Sequence, residues 1–247
     1  MRTGIPVPAR RPALVAAGCA AAFGVLTALV VARSGAPYPL DEALHAWSVR
    51  HRPAVPAALA RGLTATGSGP VPYLCALAAG LAAGRGTRGR LAAAAGALSF
   101  LLVAQGVRYG IMYAVARPRP PFPDWAVYAS GYAYPSGHAT TSALAAGLLT
   151  WGARCAADPA TARTGRAARG AAGGRARWAP WTLPAVLAPA ACWAVAVGLS
   201  RVYLGVHWPT DVLGGWLYAS TWLAAGAAVL AGRRGGAYGR YGPYGAA

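Results

Sequence analysis

The chain has no lysine: each of its 23 cations is an arginine. Beside 33 glycines and abundant alanine, this reads as GC-rich coding. Acids are scarcer still, with 5 Asp and Glu in 247 residues and a formal charge of +18. Charged residues make up 11% and hydrophobic ones 56%, whereas soluble domains carry about 25% charged residues. That balance excludes an ordinary soluble domain, and the length suits one or two membrane domains. A pI near 11.0 fits nucleic-acid binding in some proteins. Here the arginines lie in the gaps between apolar runs, the pattern of cytoplasmic loops, and no nucleic-acid partner is expected. The four cysteines, Cys19, Cys75, Cys155 and Cys192, form no C-x-x-C pair, which excludes a disulfide framework or zinc site. They read as small hydrophobes. No G-x-S-x-G elbow is present, so a serine hydrolase built on Ser136 lacks its signature.

What the chain does have is six apolar stretches, about 13–32, 70–84, 91–113, 136–153, 182–200 and 209–231. The first follows Arg2, Arg10 and Arg11 as in a signal peptide. At about 20 residues it is long enough to span a bilayer and reads as a retained helix. Residues 33–69 read as a polar connection. Within it Leu40, Leu44, Trp47 and His51 fall at helical spacing until Pro53 and Pro56, as in a short helix at the outer interface or an ordinary loop helix. Proline density makes 114–135 a loop, with Trp125, Tyr128, Tyr132 and Tyr134 as an aromatic belt. Residues 154–181, with six arginines and no apolar periodicity, read as a flexible loop.

With the N-terminus inside, 15 of the 23 arginines fall in cytoplasmic segments. The expected fold is therefore an all-α polytopic membrane helix bundle with six transmembrane helices and both termini cytoplasmic. Residues 1–12 form a cytoplasmic tail, 13–231 the membrane domain, and 232–247 a disordered Gly/Tyr/Arg tail. This topology brings the Arg117–Pro120 loop, Ser136, Arg201 and His207 to the outer face, where four helix ends can build one site.

The residues there carry chemistry. Pro135-Ser136-Gly137-His138 reads as a helix start with Ser136 at the N-cap. Its first-turn amides, from Gly137 onward, make an anion site strengthened by the helix dipole; a plain cap with a surface histidine is the bland alternative. His207 precedes a helix opened by Pro209, and Asp211 falls in its first turn. A carboxylate there can hold one ring nitrogen and leave the other as nucleophile or base. Arg119 and Arg201 supply guanidinium forks that match phosphate oxygens. Arg117 has the same local setting as Arg119, and the sequence ranks neither first.

Arg119-Pro120, Pro135-Ser136-Gly137-His138 and Ser200-Arg201 followed by His207 and Asp211 resemble, in order and separation, the three signature motifs of the type 2 phosphatidic acid phosphatase superfamily. The resemblance covers about residues 90–230, and the second and third motifs match in full. It implies a membrane lipid phosphatase with a six-helix core and core motifs over 108–211. By that resemblance His207 is the nucleophile forming a phosphohistidine, Asp211 its orienting partner, and His138 the acid for the leaving oxygen. Arg119, Arg201, Ser136 and Gly137 cradle the phosphate. No metal ion or other cofactor is implied. The substrate class is a lipid phosphate such as polyprenyl diphosphate, phosphatidic acid or phosphatidylglycerol phosphate, hydrolysed at the outer face of the cell membrane. Analogy alone leans to undecaprenyl diphosphate.

The first motif departs from the family. Lysine usually stands seven positions before the Arg of Arg-Pro, and here that position is Met112 (counting from Arg119) or Gly110 (from Arg117). Arg108 lies one turn before Met112 on the same helical face and is the expected replacement, with snorkelling as the alternative. Two other readings compete with the phosphatase. His138, His207 and Asp211 form a two-His, one-carboxylate set, against which the neighbouring arginines argue by repelling a cation. A non-enzymatic lipid-phosphate binder or transporter needs only the cations and amides, which leaves the His, His, Asp set unexplained.

Overall fold

Small residues let the helices of this chain approach one another closely. An added Cβ at Gly80 would stand 2.3 Å from Ala94 Cα, and one at Gly152 would stand 2.5 Å from the Ala79 carbonyl oxygen. In a bilayer such approach supplies packing that hydrophobic burial cannot. The structure, a computed structural model, describes residues 10–157 and 182–239. These form eight α-helices and one 3-10 turn, with no strand among the described residues.

Helix α1 (Arg10–Ala32) packs along the final helix and buries only Val30. Two short helices follow, α2 (Pro39–Arg50) and α3 (Ala54–Ala65). Then come α4 (Pro70–Ala83) and α5 (Gly86–Val115), packed on each other. A 3-10 turn (Phe122–Asp124) interrupts the loop before α6 (Gly137–Ala157), and α7 (Thr182–Tyr203) and α8 (Pro209–Gly239) complete the chain. Helix α6 is central and touches α4, α5, α7 and α8. The core joins Ala76 and Ala79 of α4, Leu101 and Ala104 of α5, Leu144 and Leu148 of α6, and Tyr218 of α8.

Among the described residues, four helices are long and apolar enough to cross a membrane: α1, α5, residues 185–203 of α7 and residues 209–233 of α8. Of the other two expected spans, α4 is a shorter apolar helix of 14 residues. Helix α6 opens on Thr140, Thr141 and Ser142, all buried among its neighbours. A helix wrapped in protein does not need a lipid-facing composition. Large apolar side chains point outward instead, including Leu14, Leu29, Leu102, Val103 and Leu199, as bilayer-facing surfaces require.

Three expectations need correction. Pro53 and Pro56 end the α2 pattern but also begin α3, a helix not anticipated within 33–69. Pro53 takes the N-cap with φ −65°, and proline in a first turn removes an N–H that has no intrahelical partner. The last helix runs to Gly239, past the expected end at 231, so the first part of the supposed disordered tail is helical. Helix α6 likewise runs to Ala157, into the segment read as a basic loop. Residues 1–9 of the N-terminal tail, 158–181 of that loop and 240–247 of the C-terminal tail lie outside the described residues.

Candidate active site

Helix α5 ends because Ala116 takes the left-handed conformation, φ 49°, with its N–H on the Met112 carbonyl at 3.0 Å. The reversal turns Arg117 inward. The loop that follows is stitched to the bundle by three backbone bonds: Ala133 N–H to Arg117 O at 2.9 Å, Ala126 N–H to Leu204 O at 2.9 Å, and Ser136 N–H to Asp211 O at 3.0 Å. The last ties the start of α6 directly to the start of α8. Between α7 and α8, Gly205 adopts φ +74°, and a Cβ there would meet Asp124 O at 2.4 Å. The end of α5, the start of α6, the end of α7 and the start of α8 therefore converge.

His207 lies in the α7–α8 corner, 2% exposed, and Asp211 one turn into α8, fully buried. His207 Nδ1 stands 3.4 Å from Asp211 Oδ2, longer than an ordinary hydrogen bond, and makes no other polar contact. Oδ2 also accepts the Trp208 N–H at 2.8 Å. On the other side of the ring, Nε2 is 2.9 Å from Arg119 Nη1. A guanidinium can only donate, which makes Nε2 the acceptor and assigns the ring proton to Nδ1, on the Asp211 side. Burial above all, with the Arg119 and Arg201 charges, holds the His207 imidazole well below its usual 6.5. Arg119 is lowered to about 10 by burial, with a further push from Arg108 and an opposing pull from Asp211; it remains a cation at neutral pH. Its fork is fixed by the carbonyls of Ser130, Gly131, Tyr132 and Val206.

Arg201, 2% exposed, ends α7 and donates from Nη1 to Thr64 Oγ1 at 3.0 Å, while its Nε is buried without a partner. Ser136 stands at the N-cap position of α6, yet its Oγ is buried and makes no cap bond. The expected cap is therefore absent, and the hydroxyl is left for something else. His138, half-buried on the first turn of α6, lies within electrostatic reach of Arg201, Arg119 and Arg108. Arg108 is buried on α5, anchored by Nε to Gln105 Oε1 at 3.1 Å and lying 4.0 Å over the Tyr109 ring. Its Nη1 is 3.7 Å from the Met112 sulfur. A Cβ on Gly137 would come within 3.3 Å of Arg108 Cζ. The guanidinium thus fills the space between Met112 and the start of α6.

Arg117 does not join this group. It is fully buried and donates to Asp211 Oδ1 at 2.6 Å, Asp41 Oδ2 at 2.9 Å, Thr210 Oγ1 at 2.7 Å and Gly35 O at 3.1 Å. Its donors are spent behind Asp211, so the expectation that it holds phosphate is corrected: it holds the carboxylate. Asp41, Thr64 and Thr210 were not singled out from the sequence. Asp41 carried one signal, being an acid at i, i+4, i+7 spacing with His45 and Ser48, all three buried in α2. Among the described residues no three His, Cys, Asp or Glu side chains form a metal-ligating group, so the two-His, one-carboxylate alternative lacks its geometry.

An undecaprenyl-diphosphatase from Sulfolobus acidocaldarius is 61% identical over 31 residues, 13% of this chain; the match spans about 15% of that relative's length. The crystal structure of a transmembrane PAP2-type phosphatidylglycerolphosphate phosphatase from Bacillus subtilis superposes with a TM-score of 0.60 at 22% identity, covering 93% of this chain and 98% of that one. It shares the fold. The family model of the PAP2 superfamily matches residues 92–234, more than half of the chain and all the motif residues from Arg108 to Asp211, and the chain belongs to that superfamily of membrane phosphatases.

Proposed function

We infer that the protein hydrolyses the terminal phosphate or diphosphate of a membrane lipid through a phosphohistidine. The observation that carries this is one cluster holding a neutral His207 backed by Asp211, the Arg119 and Arg201 guanidiniums, and two buried donors without partners, Ser136 Oγ and Arg201 Nε. Unpartnered buried donors are costly and fit a site completed by an anion. In this reading the phosphoryl oxygens take the donors of Arg201, Ser136 Oγ and the Gly137 amide, and the Arg119 Nη1–H that His207 Nε2 releases when it attacks. Arg108 adds a further charge in place of the family lysine, as its position beside Met112 and Gly137 supports.

His207 Nε2 attacks the terminal phosphorus in line, and its bond breaks to the lipid oxygen of a monophosphate or to the bridging oxygen of a diphosphate, which leaves as the lipid alcohol or the lipid monophosphate. His138, which takes a proton from solvent once the phosphate anion offsets the surrounding arginines, gives that proton to the leaving oxygen. The phosphorylated ring is now cationic, with Nδ1–H toward Asp211, and the arginines balance the phosphoryl charge. Water then attacks phosphorus and loses a proton to His138, the N–P bond breaks, and inorganic phosphate leaves. No step uses a metal ion.

The lipid character of the substrate rests on a groove of about 830 Å³ between α2, α3, α7 and α8, lined by Leu44, Trp47, Leu59, Leu63, Val212 and Trp216 among others. Ser200, which also lines it, precedes Arg201, so a hydrocarbon chain can lie there while its phosphate enters the cradle. We place the site at the extracytoplasmic face of a six-span bundle with both termini cytoplasmic. The membrane domain extends over 13–231, between the basic tail 1–12 and the C-terminal segment from 232. The arginine distribution supports this placement.

The deciding experiment is phosphate release from a panel of polyprenyl diphosphate, phosphatidic acid and phosphatidylglycerol phosphate, with chelator present. Wild type releases phosphate from at least one, and His207→Ala releases none. A wild type that binds these lipids without releasing phosphate makes the protein a lipid-phosphate binder or transporter instead.

A further inference from the structure

Asp41 lies on α2, outside the residues 92–234 that match the family, and its carboxylate is fully buried. It accepts from Arg117 Nη2 at 2.9 Å, the Thr210 N–H at 2.9 Å, Thr210 Oγ1 at 2.7 Å and the Tyr38 N–H at 3.1 Å. Arg117, equally buried, reaches Asp211 Oδ1 at 2.6 Å with its other terminal nitrogen. Thr210 Oγ1 bridges the two, accepting from Arg117 and donating to Asp41. A continuous path thus runs from the interfacial helix α2 through Arg117 to Asp211 and the His207 ring.

Burying two carboxylates and a guanidinium is expensive, and such a triad is weak evidence for stability. Its effect on Asp211 is more specific. One guanidinium shared between two carboxylates leaves a net negative charge behind His207. If Asp41 were neutral, Arg117 would cancel Asp211. A guanidinium with a free terminal nitrogen also favours a bidentate grip on its remaining carboxylate. That grip would draw Oδ2 away from the His207 ring and the Trp208 N–H.

We propose that Asp41 is a positioning residue of the phosphoryl transfer: by occupying one side of Arg117, it leaves the Asp211 charge uncancelled and its Oδ2 facing His207. Helix α2 is then part of the nucleophile's support as well as a wall of the lipid groove. This rests on the phosphohistidine reading, because it is the developing positive charge on the attacking ring that the free carboxylate charge stabilises.

The test uses the full chain in detergent, with wild type, His207→Ala, Asp41→Asn and Thr210→Val. In folded Asp41→Asn, kcat falls about tenfold to a hundredfold, the range for residues coupled through one network, and KM stays close to wild type because the phosphate cradle is untouched. The acid limb of kcat/KM also moves to lower pH. His207 faces Arg119 from the loop, Arg201 from α7, His138 from α6 and Asp211 from α8. Removing the Asp41 charge makes that setting more positive, so the protonated ring is less favoured. A residue that only anchors α2 would change thermal stability and leave kcat and the limb in place, and that result overturns the proposal. If Asp41→Asn does not fold, Thr210→Val decides: a lowered kcat at constant KM supports the path, and unchanged kcat overturns it. If wild type releases no more phosphate than His207→Ala, the hydrolase reading fails and the positioning role fails with it.

Discussion

Arg119 Nη1 stands 2.9 Å from His207 Nε2, so the atom proposed to attack phosphorus is also the one that a protonated ring would turn toward a cation. Burial and this cation keep the ring neutral to well below 6.5. The sign follows directly: a depressed histidine keeps its lone pair as pH falls through 6.5 and loses it only at lower pH. After correction for substrate ionisation, kcat/KM is expected to hold steady from neutral pH down through 6.5, with its acid limb lower. A limb at or above 6.5 contradicts the assignment. Arg108 offers a second measurement. A charged hydrogen bond is worth about 1.5–3 kcal/mol, so Arg108→Ala should lower kcat/KM by roughly tenfold to a hundredfold. Met112→Lys in that background should restore part of it, since the two positions share one face. If Arg108→Ala leaves turnover and affinity intact, the lysine has no substitute there. His207 and Asp211 were readable because one helical turn brings them together whatever surrounds them. The ranking of Arg117 and Arg119 was not. It depends on the left-handed turn at Ala116 and on the Gly35 backbone, where an added Cβ would stand 2.9 Å from Pro118 Cδ; neither is a local propensity.

Helix α2 inverts the pattern of a soluble amphipathic helix. Asp41, His45 and Ser48 are buried, while Leu40, Leu44 and Trp47 are 62%, 41% and 52% exposed. His45 reaches Asp124 at 2.9 Å and Ser48 donates to its own helix and to Val202 O, so the polar stripe docks on the loop and α7. The periodicity of this helix was legible. Its orientation was not, because apolar residues face inward in water and outward beside lipid. Helix α3 was hidden for a different reason: prolines that break a helix interior are equally at home in a first turn. Together α2 and α3 form one wall of the groove, and that wall can be tested. Leu63→Trp fills space beside Thr64, which holds Arg201. At about 0.8 kcal/mol per buried methylene, displacing two or three methylenes should raise KM for long-chain substrates about fifteenfold to fiftyfold. A water-soluble short-chain phosphate should be turned over as before. Equal losses on both substrates would assign the effect to the cradle instead of the groove.

The whole molecule separates its charges along the bundle axis. Helix α5 has 30 residues and so runs about 45 Å, more than the roughly 30 Å of a bilayer core. In the proposed topology its two ends lie on opposite sides. Arg85, Arg88 and Arg90 cluster at its first end, and the loop with Arg119 and the aromatic residues follows its last. The site must share the side of that second end, because Arg119 touches His207 directly. In the proposed topology, which the positive-inside bias supports, the Arg85–Arg90 end is cytoplasmic and the catalytic end is outside. This matters for function, since a site outside can act only on lipids presented in the outer leaflet. It can be read without any substrate. In a variant lacking the four native cysteines, Tyr128→Cys places a thiol at a site 80% exposed on the catalytic side, and Thr87→Cys places one at the start of α5. A membrane-impermeant maleimide added to intact cells should label position 128 and leave 87 unlabelled until lysis. The reverse pattern would put the active site in the cytoplasm and require a substrate pool in the inner leaflet.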